Sequence, residues 1–262
     1  MTARLLKSQI RKLLRIPIGD TPRKYFFNDG QFDNPKSEMS QFFSSVENGL
    51  IKWSHYPDIY AQIFAPFRDK PNLKILEIGT RYGGGIELLQ KIFPNNPTIF
   101  GIDIIPQCSS FEGQNVKIRI GDQSDETFLK SVGNEMGGID IVIDDGSHNS
   151  RHQRASFEAL FPFLNPNGIY VVEDVEHSYF RNQKGWPMLP YTFVNFAKRT
   201  VESLNSNFRG YKKTLMLKGI DQNLYSITFF RSVIVFRKKQ LPEPKVIRVG
   251  RQYFPTRNSS LN

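Results

Sequence analysis

Two apolar segments that each end in acidic residues constrain the fold of this chain more than any other feature. The first is IDIVIDDGSH, residues 139–148, and the second is GIYVVED, residues 168–174. Between them, apolar residues recur at helical spacing from Phe157 to Leu164. A strand, a helix and a second strand in this order predict a parallel β-α-β unit, which brings both acidic ends to the same edge of a sheet.

The same alternation of strands and helices extends along most of the chain. Strand patterns cover residues 73–79 (LKILEIG), 98–104 (TIFGIDI) and 116–122 (VKIRIGD). Two further strands, residues 226–230 and 232–238, nearly abut and predict an antiparallel hairpin at the edge of the sheet. Strands separated by helices predict an α/β fold with a doubly wound, mostly parallel sheet.

The ends of the chain differ in charge from its middle. Of 35 Lys/Arg and 25 Asp/Glu, residues 1–24 carry seven and one, residues 207–262 carry twelve and two, and the middle carries 16 and 22. We therefore expect a basic helix and linker (1–37), a folded domain (38–240) and a basic tail (241–262). Positive charge outside the folded domain argues against nucleic-acid binding, whereas the basic ends could contact an anionic surface.

Cysteine content and hydropathy bear on the compartment. The single cysteine, Cys108, excludes an internal disulfide and favours a reducing environment. We find no signal-peptide or transmembrane pattern and expect a soluble cytoplasmic protein, with a homo-oligomer left open. The basic helix predicted in residues 2–16 has two interpretations, loose packing on the domain and docking to a membrane surface.

The glycine-rich turn after the first strand, LEIGTRYGGG (residues 76–85), predicts a cofactor site. Glycines at a strand-to-helix turn let the backbone approach a ligand closely. The spacing differs from the G-x-G-x-x-G of dinucleotide binders, and the carboxylate of Glu77 would repel a pyrophosphate. S-adenosylmethionine (SAM) carries an ammonium and a sulfonium and is compatible with that carboxylate, so SAM is favoured over NAD.

Acidic residues also end the strands that follow. Asp103 could accept hydrogen bonds from ribose hydroxyls, and Asp122 with Gln123 could contact the adenine. A solvated strand end explains any one of these acids, but acids at four strand ends favour a common site. The predicted cofactor-binding residues are Glu77, Gly79, Arg81, Gly83, Asp103, Asp122, Gln123 and Asp144.

Three carboxylates, Asp145, Glu173 and Asp174, are predicted to hold a divalent cation. Magnesium prefers oxygen ligands, and three converging carboxylates without a cation would repel one another. Neighbouring strand residues point to opposite faces, so Glu173 and Asp174 can share an ion only if the strand has already ended. His148 is the predicted general base, with a neutral structural histidine as the alternative.

Aromatic and histidine residues on both sides of this predicted site form a hypothetical substrate lid. They are His55, Tyr56, His177, Tyr179 and Trp186. An aromatic patch before a helix, such as the one at residues 53–56, is more often ordinary packing.

The segments IDIVIDDGSH, GIYVVED and LEIGTRYGGG together resemble those of the magnesium-dependent sugar O-methyltransferases of macrolide biosynthesis, and rhamnosyl O-methyltransferases look related. The resemblance covers about residues 53–238. It implies a class I methyltransferase fold with seven strands, SAM and Mg²⁺ as cofactors, and an acceptor with vicinal hydroxyls. It also implies Asp145, Glu173 and Asp174 as metal ligands and His148 as proton acceptor.

The expected function is therefore O-methylation of a sugar or glycosylated natural product. Three alternatives stay open on the sequence. A catechol-type methyltransferase would use an aromatic diol, and a non-catalytic SAM- or nucleotide-binding module would dock through the basic ends. A dehydrogenase would require NAD.

Overall fold

The computed structural model describes residues 31–180, 190–205, 220, 223–240, 242, 245–247 and 249–250. The strands are β1 (Lys74–Ile78), β2 (Thr98–Asp103), β3 (Val116–Ile120), β4 (Ile139–Asp144), β5 (Leu164–Val172), β6 (Leu224–Phe229) and β7 (Ile234–Lys238). The helices are α1 (Glu38–Ser44), α2 (Tyr56–Phe64), α3 (Gly84–Ile92), α4 (Glu126–Met136), α5 (Ser150–Leu160) and α6 (Phe193–Leu204). The predicted N-terminal helix, Trp186 and residues 251–262 lie outside the described residues.

The seven strands form a single sheet in the order β3-β2-β1-β4-β5-β7-β6. Neighbouring strands from β3 to β5 are parallel, and β7 runs antiparallel to both β5 and β6. The α/β class, the mostly parallel sheet and the C-terminal hairpin are thereby confirmed. The strand order reverses between β1 and β4, which is where an open α/β sheet leaves a crevice for a ligand.

The central strands are buried on both faces, as is typical of parallel sheets covered by helices. Ile75 and Leu76 of β1 and Ile141 and Val142 of β4 have no exposed surface. One face of the sheet packs against α1, α2 and α3, and the other packs against α4, α5 and α6. The central strands are therefore accessible only at their ends.

One boundary differs from the prediction. The sequence pattern begins the fifth strand at residue 168, but β5 begins at Leu164 and contains residues 165–168 as an irregularity in the pairing with β4. Asn167 has a φ of +69°, a local distortion that β5 accommodates.

At the N-terminal end of the domain, Phe32 of the predicted linker packs edge-on against Phe43, with ring centroids 5.6 Å apart. The division of the chain at residue 37 stays a prediction.

None of the helices in the described part of the chain combines the length and the apolar character needed to cross a membrane.

Candidate active site

A cleft of about 530 Å³ opens at the carboxyl ends of β1 to β4, at the point where the strand order reverses. Backbone hydrogen bonds hold its floor together, since Asp145 N–H donates to Ile78 O over 3.0 Å and Gly79 N–H donates to Ile102 O over 2.8 Å. Nine of the candidate residues line it: Glu77, Gly79, Arg81, Asp103, Asp122, Gln123, Asp145, His148 and Asp174. His152, which was not among the candidates, lines it as well. The sheet edge therefore gathers most of the predicted site.

The glycine-rich turn brings the backbone close to β4 and to a buried acid. Gly79 has a φ of +98°, and a Cβ there would lie 2.3 Å from the carbonyl oxygen of Asp145. A Cβ on Gly85 would lie 1.9 Å from Oε1 of Glu77. Glycine is required at both positions because a side chain would displace the strand end or the Glu77 carboxylate. Gly83, also predicted at the cofactor, instead faces the ring of Phe111.

Glu77 is a buried acid with one oxygen, Oε2, that has no hydrogen-bond partner among the described residues. Its side chain is 3% exposed. Burial raises the pKa of Glu77 to about 8, against the lowering effect of Lys52. A buried carboxylate of this kind is stabilised by a cationic ligand group that donates hydrogen bonds, such as an ammonium.

The acids at the ends of β2 and β3 are held by backbone N–H groups. Asp103 accepts hydrogen bonds from Arg81 N–H (2.8 Å) and Ile105 N–H (2.9 Å). Asp122 accepts from the N–H and the hydroxyl of Ser124, and these bonds lower its pKa. Both carboxylates line the cleft in fixed orientations with acceptor capacity remaining, so they fit a ligand that donates hydroxyl or amino hydrogens.

Gln123 and Asp144 form a buried pair below the cleft. Gln123 donates to Asp144 (2.9 Å) and accepts from Ser147 N–H (2.6 Å). Asp144 is fully buried, and it also accepts from Ser156 (2.5 Å) and Tyr170 (3.3 Å). Asp144 does not line the cleft, and its oxygens already accept hydrogen bonds from Gln123, Ser156 and Tyr170. The prediction that Asp144 contacts the cofactor is therefore corrected: Asp144 instead holds the side chain of Gln123, which does line the cleft.

The acids after β4 and β5 converge on His148. Asp145 Oδ1 lies 4.0 Å from His148 Nδ1, and Asp174 Oδ2 lies 3.6 Å from His148 Nε2. The ligand atoms of these three residues all lie within 4.8 Å of one another, close enough to surround one metal ion. β5 ends at Val172, and Asp174 has a φ of +52°. The strand has thus ended before Asp174, which was the condition for Glu173 and Asp174 to share one ion.

Glu173 does not point into this group. It is fully buried, its Oε2 lies 2.5 Å from the ammonium of Lys52, and its Oε1 accepts a hydrogen bond from the hydroxyl of Tyr60. The same ammonium lies 2.7 Å from Oδ2 of Asp145. The predicted three-carboxylate set is thus divided, with Asp145 and Asp174 facing His148 and Glu173 facing Lys52.

Lys52 and Tyr60 are the residues that the sequence analysis missed. Lys52 is the first residue of the segment 52–58 (KWSHYPD), in which only aromatic and histidine side chains were predicted to be functional. Tyr60 follows on α2. The one available signal was a lysine at the start of a predominantly aromatic segment. Asp174 is held by the same segment, because Trp53 Nε1–H (3.0 Å) and Tyr56 O–H (2.6 Å) both donate to its Oδ1.

Burial dominates the electrostatics of this cluster. It raises the pKa of Asp145 to about 6 and that of Glu173 to about 7, although Lys52 opposes the shift in both. Burial alone would lower the pKa of Lys52, but the carboxylates of Asp145 and Glu173 hold it well above its usual range. One ammonium is therefore insufficient for the acids present, which fits a site built for a further cation.

His148 lies in the loop before α5, two residues ahead of the first helical residue, Ser150. Its φ is +53°, a conformation uncommon for a non-glycine residue. Nδ1 is buried and has no hydrogen-bond partner among the described residues, while the ring packs edge-on against His177 at 4.8 Å. Because Nδ1 is enclosed, Nε2 is the nitrogen that a ligand in the cleft can reach.

The residues of the hypothetical lid lie in different surroundings. Tyr56 is fully buried and holds Asp174, so its prediction as a lid residue is wrong. His55 contacts the carbonyl oxygen of Arg231 at 3.0 Å. His177 packs on His148 and so lies next to the site, whereas for Tyr179, which is 47% exposed, the lid role stays a prediction. Trp186 lies outside the described residues.

The chain is similar in sequence to sugar O-methyltransferases of natural-product pathways. The 8-demethyl-8-alpha-L-rhamnosyl tetracenomycin-C 2'-O-methyltransferase of Streptomyces olivaceus is 38% identical over 170 residues, 62% of this chain and 44% of the relative. The mycinamicin VI 2''-O-methyltransferase of Micromonospora griseorubida is 35% identical over 150 residues, 55% of this chain and 37% of the relative. The chain thus spans less than half the length of these curated relatives.

A solved structure shares the fold. The MycE methyltransferase of the mycinamycin biosynthetic pathway, in complex with Mg and S-adenosylhomocysteine (SAH), superposes with a TM-score of 0.68 and 28% identity, covering 78% of this chain and 54% of MycE. The same enzyme with Mg, SAH and mycinamycin VI gives a TM-score of 0.66. No profile of a known protein family matches the chain. The class I methyltransferase fold and the resemblance to macrolide sugar O-methyltransferases are confirmed.

Proposed function

We propose that this relative of the macrolide and tetracenomycin sugar O-methyltransferases transfers a methyl group from SAM to a sugar hydroxyl with the help of a divalent cation. One observation carries the proposal. The three donor residues Asp145, His148 and Asp174 lie in the same cleft as the glycine-rich turn and the buried, unpaired carboxylate of Glu77. Residues that could hold a metal ion and a buried carboxylate that could pair with an ammonium thus line the same cleft.

The residues at the β1–β3 end fit SAM. Glu77 would pair with its ammonium, and Asp103 and Asp122 would accept hydrogen bonds from hydroxyl and amino groups. SAM would supply an activated methyl group. The turn at Gly79 and Gly85 allows the backbone to approach the ligand. In support, SAH is bound in the solved MycE structures.

The residues at the β4–β5 end fit Mg²⁺. Asp145 Oδ1 and Asp174 Oδ2 are carboxylate oxygens that no described residue bonds at hydrogen-bond distance, and hard cations prefer such ligands. Mg²⁺ would act as a Lewis acid that lowers the pKa of a coordinated hydroxyl. Trp53 and Tyr56 fix Asp174 through its other oxygen, so its carboxylate is already oriented.

His148 would accept the proton from the acceptor hydroxyl at Nε2, the accessible nitrogen. Its position between the two ligand carboxylates puts it beside the oxygen that must lose a proton. Nε2 would take the proton of the hydroxyl, whose oxygen would accept the methyl group that SAM supplies, leaving SAH as the second product. His177, whose ring packs against that of His148, would lie beside the acceptor.

The acceptor class follows from the relatives, whose names specify methylation of rhamnosyl 2'-hydroxyls and of mycinamicin VI. Accordingly, we propose a glycosylated acceptor with vicinal hydroxyls rather than a catechol. The proposal is tested with the purified chain, SAM and MgCl₂, measuring SAH release on a panel of methyl rhamnosides, other glycosides and catechols. Turnover that requires a glycoside and is abolished by EDTA supports it; turnover on catechols alone contradicts the acceptor class.

His148→Ala separates the two roles that His148 could have. If His148 is the base, the variant retains divalent-cation and SAH affinity, measured by calorimetry, but loses methyl transfer by about a hundredfold or more. If His148 is instead a metal ligand, as its place in the donor group would also allow, cation affinity falls together with turnover. Unchanged turnover would remove His148 from the mechanism.

A further inference from the structure

We infer that Glu87 is a positioning residue of the cofactor site: its carboxylate holds residues 47–51 against the glycine-rich turn, where they form one wall of the cleft. We call residues 47–51 the strap. The inference rests on the proposed function, because the ligand concerned is SAM or its product SAH. Glu87 does not line the cleft, and the proposed methyl transfer involves no contact with it.

The strap lies between α1 and α2 in the chain and borders the cleft. Gly49, Leu50 and Ile51 line the cleft together with residues 79–82 of the glycine-rich turn. Leu50 packs against the buried core, whereas Ile51 is 56% exposed. An exposed apolar side chain at the mouth of a cleft is stabilised when a ligand covers it. The strap is therefore placed to cover a ligand at the β1–β3 end of the cleft.

Glu87, in the first turn of α3, binds the start of the strap through its carboxylate. Oε1 accepts from Glu47 N–H over 3.0 Å, and Oε2 accepts from Asn48 N–H over 2.9 Å and from the Asn48 side-chain amide over 3.0 Å. Burial raises the pKa of Glu87, but the N–H groups of Asn48 and Glu47 and the ammonium of Lys91 together hold it below its usual range. The carboxylate is therefore ionised at neutral pH, and its bonds to the strap are charge-assisted.

The strap and the glycine-rich turn approach each other backbone to backbone. Gly49 and Gly83 form an isolated parallel bridge. A Cβ on Gly84 would lie 2.4 Å from the carbonyl oxygen of Gly49, so a larger residue at position 84 would push the strap away. The turn therefore has a second function besides the approach to a ligand, because its glycine at position 84 makes room for the strap.

Apart from the bridge at Gly49, the strap contains no helix or strand, so local contacts fix its position. Those contacts are the bridge, the packing of Leu50 on the core and the bonds to Glu87. A segment held in this way opens without unfolding of the whole domain. Loss of the Glu87 carboxylate should therefore make the strap open more often and let a bound ligand leave faster, with little effect on global stability.

The test measures the dissociation rate of radiolabelled SAH, chased with an excess of unlabelled SAH, in wild type, Glu87→Ala and Glu126→Ala. Glu126 is the matched control, since it also lies in the first turn of a helix and pairs with the lysine four residues on, but α4 packs on the other face of the sheet. We expect SAH to leave Glu87→Ala roughly tenfold faster and Glu126→Ala within about twofold of the wild-type rate. Glu87→Gln, which keeps one acceptor oxygen, should lie between wild type and Glu87→Ala.

Amide hydrogen exchange, followed by mass spectrometry, reads the position of the strap without a ligand. Exchange in the peptide that covers the strap should be faster in Glu87→Ala than in wild type, and SAH should slow it in wild type. Exchange in the central strands should stay unchanged, and the Tm of Glu87→Ala should stay within about 3 °C of wild type. Faster exchange throughout the sheet would make Glu87 a residue of global stability alone and overturn the inference.

Gly84→Ala keeps the inference testable if Glu87→Ala does not fold. It leaves Glu87 in place and displaces the strap from the other side, since the new Cβ meets the carbonyl oxygen of Gly49. Exchange in the strap and the dissociation rate of SAH should both increase in this variant. Wild-type exchange in the strap of Gly84→Ala would show that the strap is not seated on the turn and would also overturn the inference.

The outcome for wild type separates the inference from the proposed function. If wild type binds SAH and Glu87→Ala releases it at the wild-type rate, or no faster than Glu126→Ala does, the proposed function stands and the inference alone is wrong. If wild type binds no SAH, both proposals are wrong.

Discussion

Glu77 and Glu173 are two buried glutamates, of which the first lines the cleft and the second does not, and they differ in their hydrogen-bond and charge partners. Glu77 is 3% exposed and Glu173 is fully buried. Glu173 is paired with Lys52 and Tyr60, whereas Oε2 of Glu77 has no partner among the described residues. Burial raises the pKa of both, to about 8 for Glu77 and about 7 for Glu173.

The two glutamates differ in whether protein side chains or a ligand would compensate their charge. An acid whose partners are protein side chains is part of the scaffold, because its charge is already compensated. An acid buried without a partner is stabilised only when a ligand supplies the cation. The β1–β3 end is therefore built to receive charge from a ligand, and the β4–β5 end is partly neutralised in advance.

The largest effect is expected for Glu77→Gln. The variant keeps the shape of the side chain but cannot pair with an ammonium, so SAH affinity measured by calorimetry should fall roughly a hundredfold. Stability without ligand should be unchanged or higher, because a buried acid is removed. An SAH affinity within threefold of wild type would show that Glu77 is not the ammonium partner.

Glu173→Gln should give the opposite pattern. It leaves the buried Lys52 with Asp145 alone, so the free energy of unfolding should fall by about 2 kcal/mol or more. SAH affinity should change little, since Glu173 does not line the cleft. Urea denaturation of the two glutamine variants, measured side by side, checks this contrast. If Glu77→Gln is the less stable of the two, the assignment of scaffold and ligand acids is reversed.

Stability and SAH affinity should both depend on pH through Glu77. The pKa of Glu77 is about 8 in the folded chain against the ordinary value of 4.5, so between those values the folded state binds more protons than the unfolded state. Stability without ligand should therefore fall as the pH rises through this window, by at most about 1.4 kcal/mol per pH unit for this one group. SAH affinity should rise with pH up to about 8, because the ammonium binds the ionised acid.

The control for this pH dependence is Glu77→Gln, in which the rise of SAH affinity with pH should disappear and the loss of stability with pH should become shallower. Urea denaturation and calorimetry at pH 5.5, 6.5 and 7.5 measure both. A wild-type SAH affinity that is flat across this range would contradict the raised pKa of Glu77.

The smallest effect is expected for His55→Ala. His55 belongs to the same segment as Lys52, but its ring contacts the carbonyl oxygen of Arg231 near the surface. Loss of one partly exposed hydrogen bond should reduce stability by about 0.5 kcal/mol and leave Mn²⁺ and SAH affinities unchanged. A large change in Mn²⁺ affinity would mean that His55 acts on the residues that bind the cation.

The sequence predicted the sheet and the acids at its edge for a simple reason. A strand buried on both faces leaves an uninterrupted apolar run, and an acid directly after it must lie at the strand end. Asp103, Asp122 and Asp145 were located in this way and all line the cleft. Asp144 was misjudged because the same run does not tell which of two adjacent acids turns inward, toward Ser156 and Tyr170 in this fold.

By itself the sequence determined the α/β fold, the glycine-rich turn and the set of acids, since each depends on residues close together along the chain. Only the tertiary structure decided how those acids are used. Lys52 lies 93 residues before Asp145 and 121 residues before Glu173, and it meets both because α2 packs against the sheet. Charge acts through space, so a lysine that pairs with two carboxylates can be distant from both in sequence and leaves no local pattern.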